Sequence, residues 1–184
     1  MNKKTIWIII AVLFVLVVGY FYQTVPQESE VYTVTMTGND GIKMGTVQLS
    51  ETSAGILLNL DITGLEPNGE HAIHIHEKAD CTPMETFANA GGHYNPEEKS
   101  HGMQHPEGHH AGDMPNLKPD ENGAIQTQIL NRNITLHEVA AEDGSNSVFD
   151  EDGSAIVIHA EADDHMSQPS GAAGDRIACG VINK

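Results

Sequence analysis

The chain has 184 residues, a net charge of −17, 5% aromatic residues, 18 glycines and 8 prolines. This length suits one domain with a real core plus a short appendage, and the composition favours many short strands and turns over a helical bundle. The first 22 residues hold two lysines and no acid, so the remaining 162 carry 7 basic against 26 acidic side chains. So acidic a body argues against nucleic-acid or anionic-membrane binding and serves solubility.

At the N-terminus, Met1-Asn2-Lys3-Lys4 precedes an uncharged apolar run from Ile6 to Tyr22. A positive lead followed by apolar residues is an export signal. As a helix this run reaches ~25 Å, near the lower limit for a bilayer. Trp7 at one end and Tyr20, Phe21 and Tyr22 at the other fit an interfacial belt, and no small-x-small cleavage site is obvious. Residues 1–22 are therefore expected to be an uncleaved signal-anchor, with a cleaved signal peptide as the alternative. Residues 23–30 form a polar linker and residues 31–184 an extracytoplasmic domain. In an oxidising compartment Cys81 and Cys179 are the expected disulfide pair, since neither has a CxxC partner.

Short apolar–polar alternations then read as strands at Val31–Thr37, Gly45–Leu49, Ile56–Ile62, His71–His76, Ala124–Leu130, Asn133–Leu136, Ala155–His159 and Ala178–Ile182. Eight short strands without helical periodicity imply an all-β antiparallel sandwich or flattened barrel. Two long segments, from Glu77 to Lys118 and from Ala160 to Asp175, lack strand patterning. Loops of this length in a compact domain are functional or disordered.

The first loop is rich in metal-binding chemistry. His93 stands in Gly91-Gly92-His93-Tyr94-Asn95-Pro96, followed by His101, His110 and Asp113. Upstream, His74 and His76 are two apart on a strand and project from one face, with Ile75 opposite. Downstream, His159 ends a β-branched run. Each piece has a bland alternative: a solvent-facing pair, a structural histidine, a histidine-rich loop that binds metal nonspecifically. Together they offer three imidazoles on one side of His93, and two imidazoles plus a carboxylate on the other. Four nitrogens suit copper; nitrogens with one carboxylate suit zinc. His93 has two ring nitrogens and could serve both sets.

These residues carry a resemblance. The segments His71–Glu77, Asp80-Cys81, Gly91–Pro96, His101-Gly102, His110–Asp113, His159–Asp164 and Gly174–Gly180 resemble the copper–zinc superoxide dismutase family in order and spacing, over nearly all of residues 31–184. The resemblance implies an eight-stranded Greek-key β-barrel with two metal cofactors. Copper would be held by His74, His76, His93 and His159, and zinc by His93, His101, His110 and Asp113, with His93 shared. It further implies that Asp163 hydrogen-bonds His74 and His101, that Arg176 guides and holds the superoxide anion, and that Cys81 and Cys179 form the intrasubunit disulfide. The implied reaction converts two superoxide anions and two protons to oxygen and hydrogen peroxide, with His93 and Arg176 as catalytic residues. A non-enzymatic copper- and zinc-binding relative, and a structural sandwich with a zinc-stapled loop, are the alternatives; all four copper positions being filled argues against both.

His71 matches a structural position, whereas His105, His109, His137 and His165 match no ligand. The segment Ser167-Gln168-Pro169-Ser170 has no lysine where animal members of the family carry extra basic charge, and Asp175 directly precedes Arg176. Long-range attraction of an anion is therefore expected to be weak, leaving capture to Arg176 and copper at short range. Oligomeric state stays open between monomer and homodimer.

Overall fold

In the computed structural model, residues 2–7, 14, 30–82, 86–137 and 146–184 are described. They contain nine strands: β1 (Val31–Gly38), β2 (Lys43–Thr52), β3 (Gly55–Ile62), β4 (Ile73–His76), β5 (Ile125–Asn131), β6 (Ile134–Thr135), β7 (Asn146–Ser147), β8 (Ser154–His159) and β9 (Arg176–Ile182). Seven form one antiparallel sheet in the order β4-β8-β9-β1-β2-β3-β5, and β6 pairs with β7 in parallel. β7 has no counterpart among the eight strands read from sequence, because two residues cannot display an alternation. The expected strand at His71–His76 begins later, at Ile73. His71 instead makes an isolated bridge with Leu117.

Alternation determines the core. Val34 and Met36 of β1, Val47 and Leu49 of β2, and Ile56, Leu58, Leu60 and Ile62 of β3 all point inward and are buried. The same cluster includes Ile73 and Ile75 of β4 and Ile129 of β5, the two edge strands. One core shared by both edges requires a curled sheet. Ile6, Trp7 and Phe14 are exposed. Among the described residues no helix is long and apolar enough to cross a membrane. Most of the apolar run at 8–22 lies outside the described residues.

β4 and β8 break the alternation, being buried on both faces. Their inner faces (Ile73, Ile75, Ile156, Ile158) join the core. The outer faces are covered by the two long loops, and Phe87, Ala90 and Cys81 pack over Ala155, Val157 and Cys179. Loop backbone also pairs with the edge of β4: Ile75 N–H donates to Gly112 O (2.9 Å), Tyr94 N–H to Ile75 O (2.8 Å) and Glu77 N–H to Gly92 O (3.0 Å). This closes an edge that would otherwise template aggregation. Gly112 is required for that approach, since a Cβ there would lie 2.2 Å from Ile75 O. Cys81 and Cys179 are bonded, tying the first loop to β9 across 98 residues of sequence.

Candidate metal centre

His74 and His76 project from the outer face of β4, opposite Ile73 and Ile75. His159 arrives at the end of β8, where a register shift follows Ile158 and places it across from Arg176. His93 is bridged to His76 by the returning loop, and Asp113 to His74. The pairing that covers the sheet edge thus also brings the loop ligands to the strand ligands.

On one side of His93, one ligand atom from each of His74, His76, His93 and His159 lies within 4.8 Å of the others, and all four residues are buried. Each ring has one nitrogen engaged. His74 Nε2–H donates to Asp163 Oδ2 (2.9 Å), and His76 Nδ1–H to Gly91 O (3.0 Å). His93 Nδ1 meets Asp113 Oδ1 at 2.9 Å, and His159 Nδ1–H points at Gly174 O at 3.4 Å. The other four nitrogens, His74 Nδ1, His76 Nε2, His93 Nε2 and His159 Nε2, are buried without a hydrogen-bond partner among the described residues. Leaving one buried acceptor unsatisfied costs roughly 1–3 kcal/mol, so four together are a set built for a cation. Burial, reinforced by neighbouring imidazoles, pushes His93 down to about 4 and His159 to about 3, and lowers His74 and His76 as well. All four rings are therefore neutral at pH 7, the form that ligates metal.

The other side is organised around one carboxylate. Nδ1 of His93, His101 and His110 approach Asp113 Oδ1 at 2.9, 3.1 and 3.4 Å. Oδ2 accepts from the N–H groups of Gly102 (2.9 Å) and His110 (3.1 Å), which fixes the carboxylate's orientation. Burial opposes ionisation of Asp113, but hydrogen bonds from His101, His110, His93 and Gly102 outweigh it and hold the carboxyl far below the usual range. Burial also opposes the charge on His101, yet Asp113 and Asp163 raise it to about 9. Three imidazoles and one carboxylate suit tetrahedral zinc.

Asp163 joins the two sides. It accepts from His74 through Oδ2 and from His101 Nε2–H through Oδ1 (3.0 Å). These three residues could be read as a third ion site. However, Asp163 takes the second nitrogen of each ring, Nε2, while Nδ1 of His74 faces the first quartet and Nδ1 of His101 faces Asp113, so we read a hydrogen-bonded bridge between the two groups.

Arg176 is half-buried and donates from Nη1 to Phe87 O (2.8 Å) and from Nη2 to Gly91 O (2.6 Å). Gly91 O also receives His76 Nδ1–H, so one carbonyl positions a ligand ring and the cation beside it. His71 donates from Nδ1 to His159 O (2.9 Å) and accepts Glu66 N–H at Nε2 (3.3 Å), a structural tie between backbone segments. His109 Nδ1–H donates to His110 O (2.8 Å), and His105 Nδ1 accepts Glu107 N–H (3.3 Å). His137 O accepts the Ser147 hydroxyl.

Two amide side chains that the sequence does not single out hold the loops. Asn116 both donates to Asp163 O and accepts Asp163 N–H, each at 2.9 Å, while Gln168 does the same for His101 (2.9 and 2.8 Å). Asn and Gln are ordinary loop residues, so nothing in one sequence marks these.

The family profile described as Copper/zinc superoxide dismutase (SODC) matches residues 43–182. The chain belongs to the copper/zinc superoxide dismutase family. It is 48% identical over 147 residues to Superoxide dismutase [Cu-Zn] 2 of Aquifex aeolicus, covering 80% of this chain and 83% of that one. It is 41% identical to Superoxide dismutase [Cu-Zn] of Caulobacter vibrioides over 152 residues, 82% and 84% of the two chains. A crystal structure of a superoxide dismutase-like protein from Bacillus subtilis superposes with a TM-score of 0.76 at 33% identity, covering 83% of this chain and 98% of that one. The two quartets fit the copper and zinc of the family: neutral nitrogens alone on one side, nitrogens with a carboxylate on the other.

Proposed function

We propose that this chain is a copper- and zinc-dependent superoxide dismutase of the cell envelope, converting two superoxide anions and two protons to oxygen and hydrogen peroxide. The four buried imidazole nitrogens beside Arg176, without a hydrogen-bond partner among the described residues, carry the reading. His74, His76, His93 and His159 would hold copper, and His93, His101, His110 and Asp113 zinc. When bound, copper supplies one-electron redox chemistry and zinc a fixed charge without redox chemistry.

The protein's own groups do the rest. Arg176, held by two carbonyls, offers a fixed cation to the arriving anion. His93 reaches both quartets, and its Nε2 can take up a proton and hand it on while Nδ1 stays on the zinc side. Asp163 holds His74 and His101 in one orientation and raises their basicity. The non-enzymatic alternative predicts a missing copper-side ligand, and none of the four is missing.

We read the strand order as the family's Greek-key barrel. The disulfide supports an extracytoplasmic body, and residues 1–22 are proposed as its membrane anchor; the intact mass of membrane-associated protein tests whether they persist. For the function, the full chain loaded with copper and zinc should dismute superoxide, and His76→Ala should abolish this while the zinc loop stays ordered.

A further inference from the structure

His165 matches no ligand position, but it stands against Asp163 in an unusual way. Its φ of +59° lies in the left-handed region that non-glycine residues avoid. In that conformation its backbone N–H donates to Asp163 Oδ1 at 2.7 Å, and its ring Nδ1 sits 3.3 Å from Oδ2. That nitrogen is buried and has no hydrogen-bond partner among the described residues. The carbonyl of His165 accepts Gln104 N–H from the first long loop (3.4 Å) and lies 2.1 Å from where a Cβ on Gly102 would be. Position 165 is thus pressed against the backbone next to His101.

We propose that His165 is a positioning residue for both metal ions: its N–H bonds one oxygen of Asp163 and its ring packs 3.3 Å from the other, and through them it holds the imidazoles of His74 and His101. Each carboxylate oxygen faces one ligand imidazole and one group of residue 165. Gly171 closes the far side, where a Cβ would lie 1.7 Å from Oδ1. Without the ring, Oδ2 keeps His74 alone and loses the wall that limits turning about the Cβ–Cγ bond. Both ligand rings then face a less rigidly held acceptor. Any residue at 165 supplies the N–H; the ring is what this side chain adds.

The inference rests on the two quartets being the metal sites, but its test does not use activity. In the metal-free full chain, exchange of the Nε2 protons of His74 and His101 is read by ¹H–¹⁵N NMR, and copper and zinc affinities by chelator competition. His165→Ala should speed both exchanges and weaken both affinities by about tenfold. His165→Asn, which keeps a planar polar group against Oδ2, should recover most of each loss. Unchanged exchange and affinities in the alanine variant would overturn the proposal. So would weakening at one metal alone, or equal damage in both variants. If wild-type protein with both metals bound proved inactive, the proposed function would fail while this clamp could still be observed.

Discussion

The two halves of the proposed metal centre are built from different material. Three of the four copper-side imidazoles stand on strands, with His74 and His76 on β4 and His159 ending β8, and packing against the core fixes their backbone. All four residues of the proposed zinc side, His93, His101, His110 and Asp113, stand on the loop between β4 and β5, and the three imidazoles converge on one oxygen of Asp113. The first half is preorganised by the sheet and electrically neutral; the second is organised by its own charge. Folding therefore supplies the copper-side geometry, whereas zinc binding and loop folding should be coupled.

The strongest way to break this contrast is to remove one ligand from each half. His76→Ala should eliminate dismutation yet leave amide protection in residues 86–118 unchanged in the zinc-loaded protein. Asp113→Ala should abolish tight zinc binding and remove that protection. It leaves buried histidines without their anion, a loss of about 3–5 kcal/mol by analogy with broken buried pairs. Equal loop disorder in both variants would erase the distinction.

The disulfide tests how far the sheet, rather than the metals, holds the first loop. Replacing Cys81 and Cys179 together by alanine should lower stability by about 4–5 kcal/mol on the chain-entropy estimate for a loop of this length, measured by urea unfolding of the metal-free protein. A loss below ~1 kcal/mol would mean that the loop contacts on β4 and β8 suffice.

Acid and base should separate the halves in metal-free protein. His93 and His159 are depressed to about 4 and about 3, below their unfolded value near 6.5. Their neutral burial is tolerated above pH 6.5 and becomes costly as pH falls toward 4, by up to ~1.4 kcal/mol per pH unit for each ring. His101 behaves oppositely. Raised to about 9, it contributes stability below pH 6.5 that is lost as pH rises through 9. Unfolding free energy against pH should therefore fall on both sides of neutrality. His159→Gln should flatten the acid limb and His101→Gln the alkaline limb.

The smallest effect concerns capture. Arg176→Ala should lower the dismutation rate several-fold, roughly 1 kcal/mol, and salt should accelerate the wild type little or not at all. A variant as fast as wild type at every ionic strength would move capture to another group.

Sequence and structure meet most closely where chemistry dictates residue type. The histidines and Asp113 grouped around His93 by spacing lie together in the structure, next to the Asp163 and Arg176 that the resemblance implies, because few side chains can serve as metal ligands and their spacing shows in the sequence. The core strands are legible because β1, β2 and β3 each bury alternate residues. The supports are not legible. Asn116 and Gln168 act through backbone groups that any residue possesses, and His165 depends on a left-handed φ that its side chain does not announce. β7 is too short for any period to register.

In the proposed centre His93 would join a redox-competent nitrogen quartet to a zinc quartet. The most direct measurement is superoxide decay followed by pulse radiolysis, comparing full-length protein with zinc alone and with one copper and one zinc per chain. Dismutation is expected only when copper accompanies zinc, and it should be lost in His76→Ala. Full occupancy of both metals in wild-type protein with no superoxide consumption would contradict it.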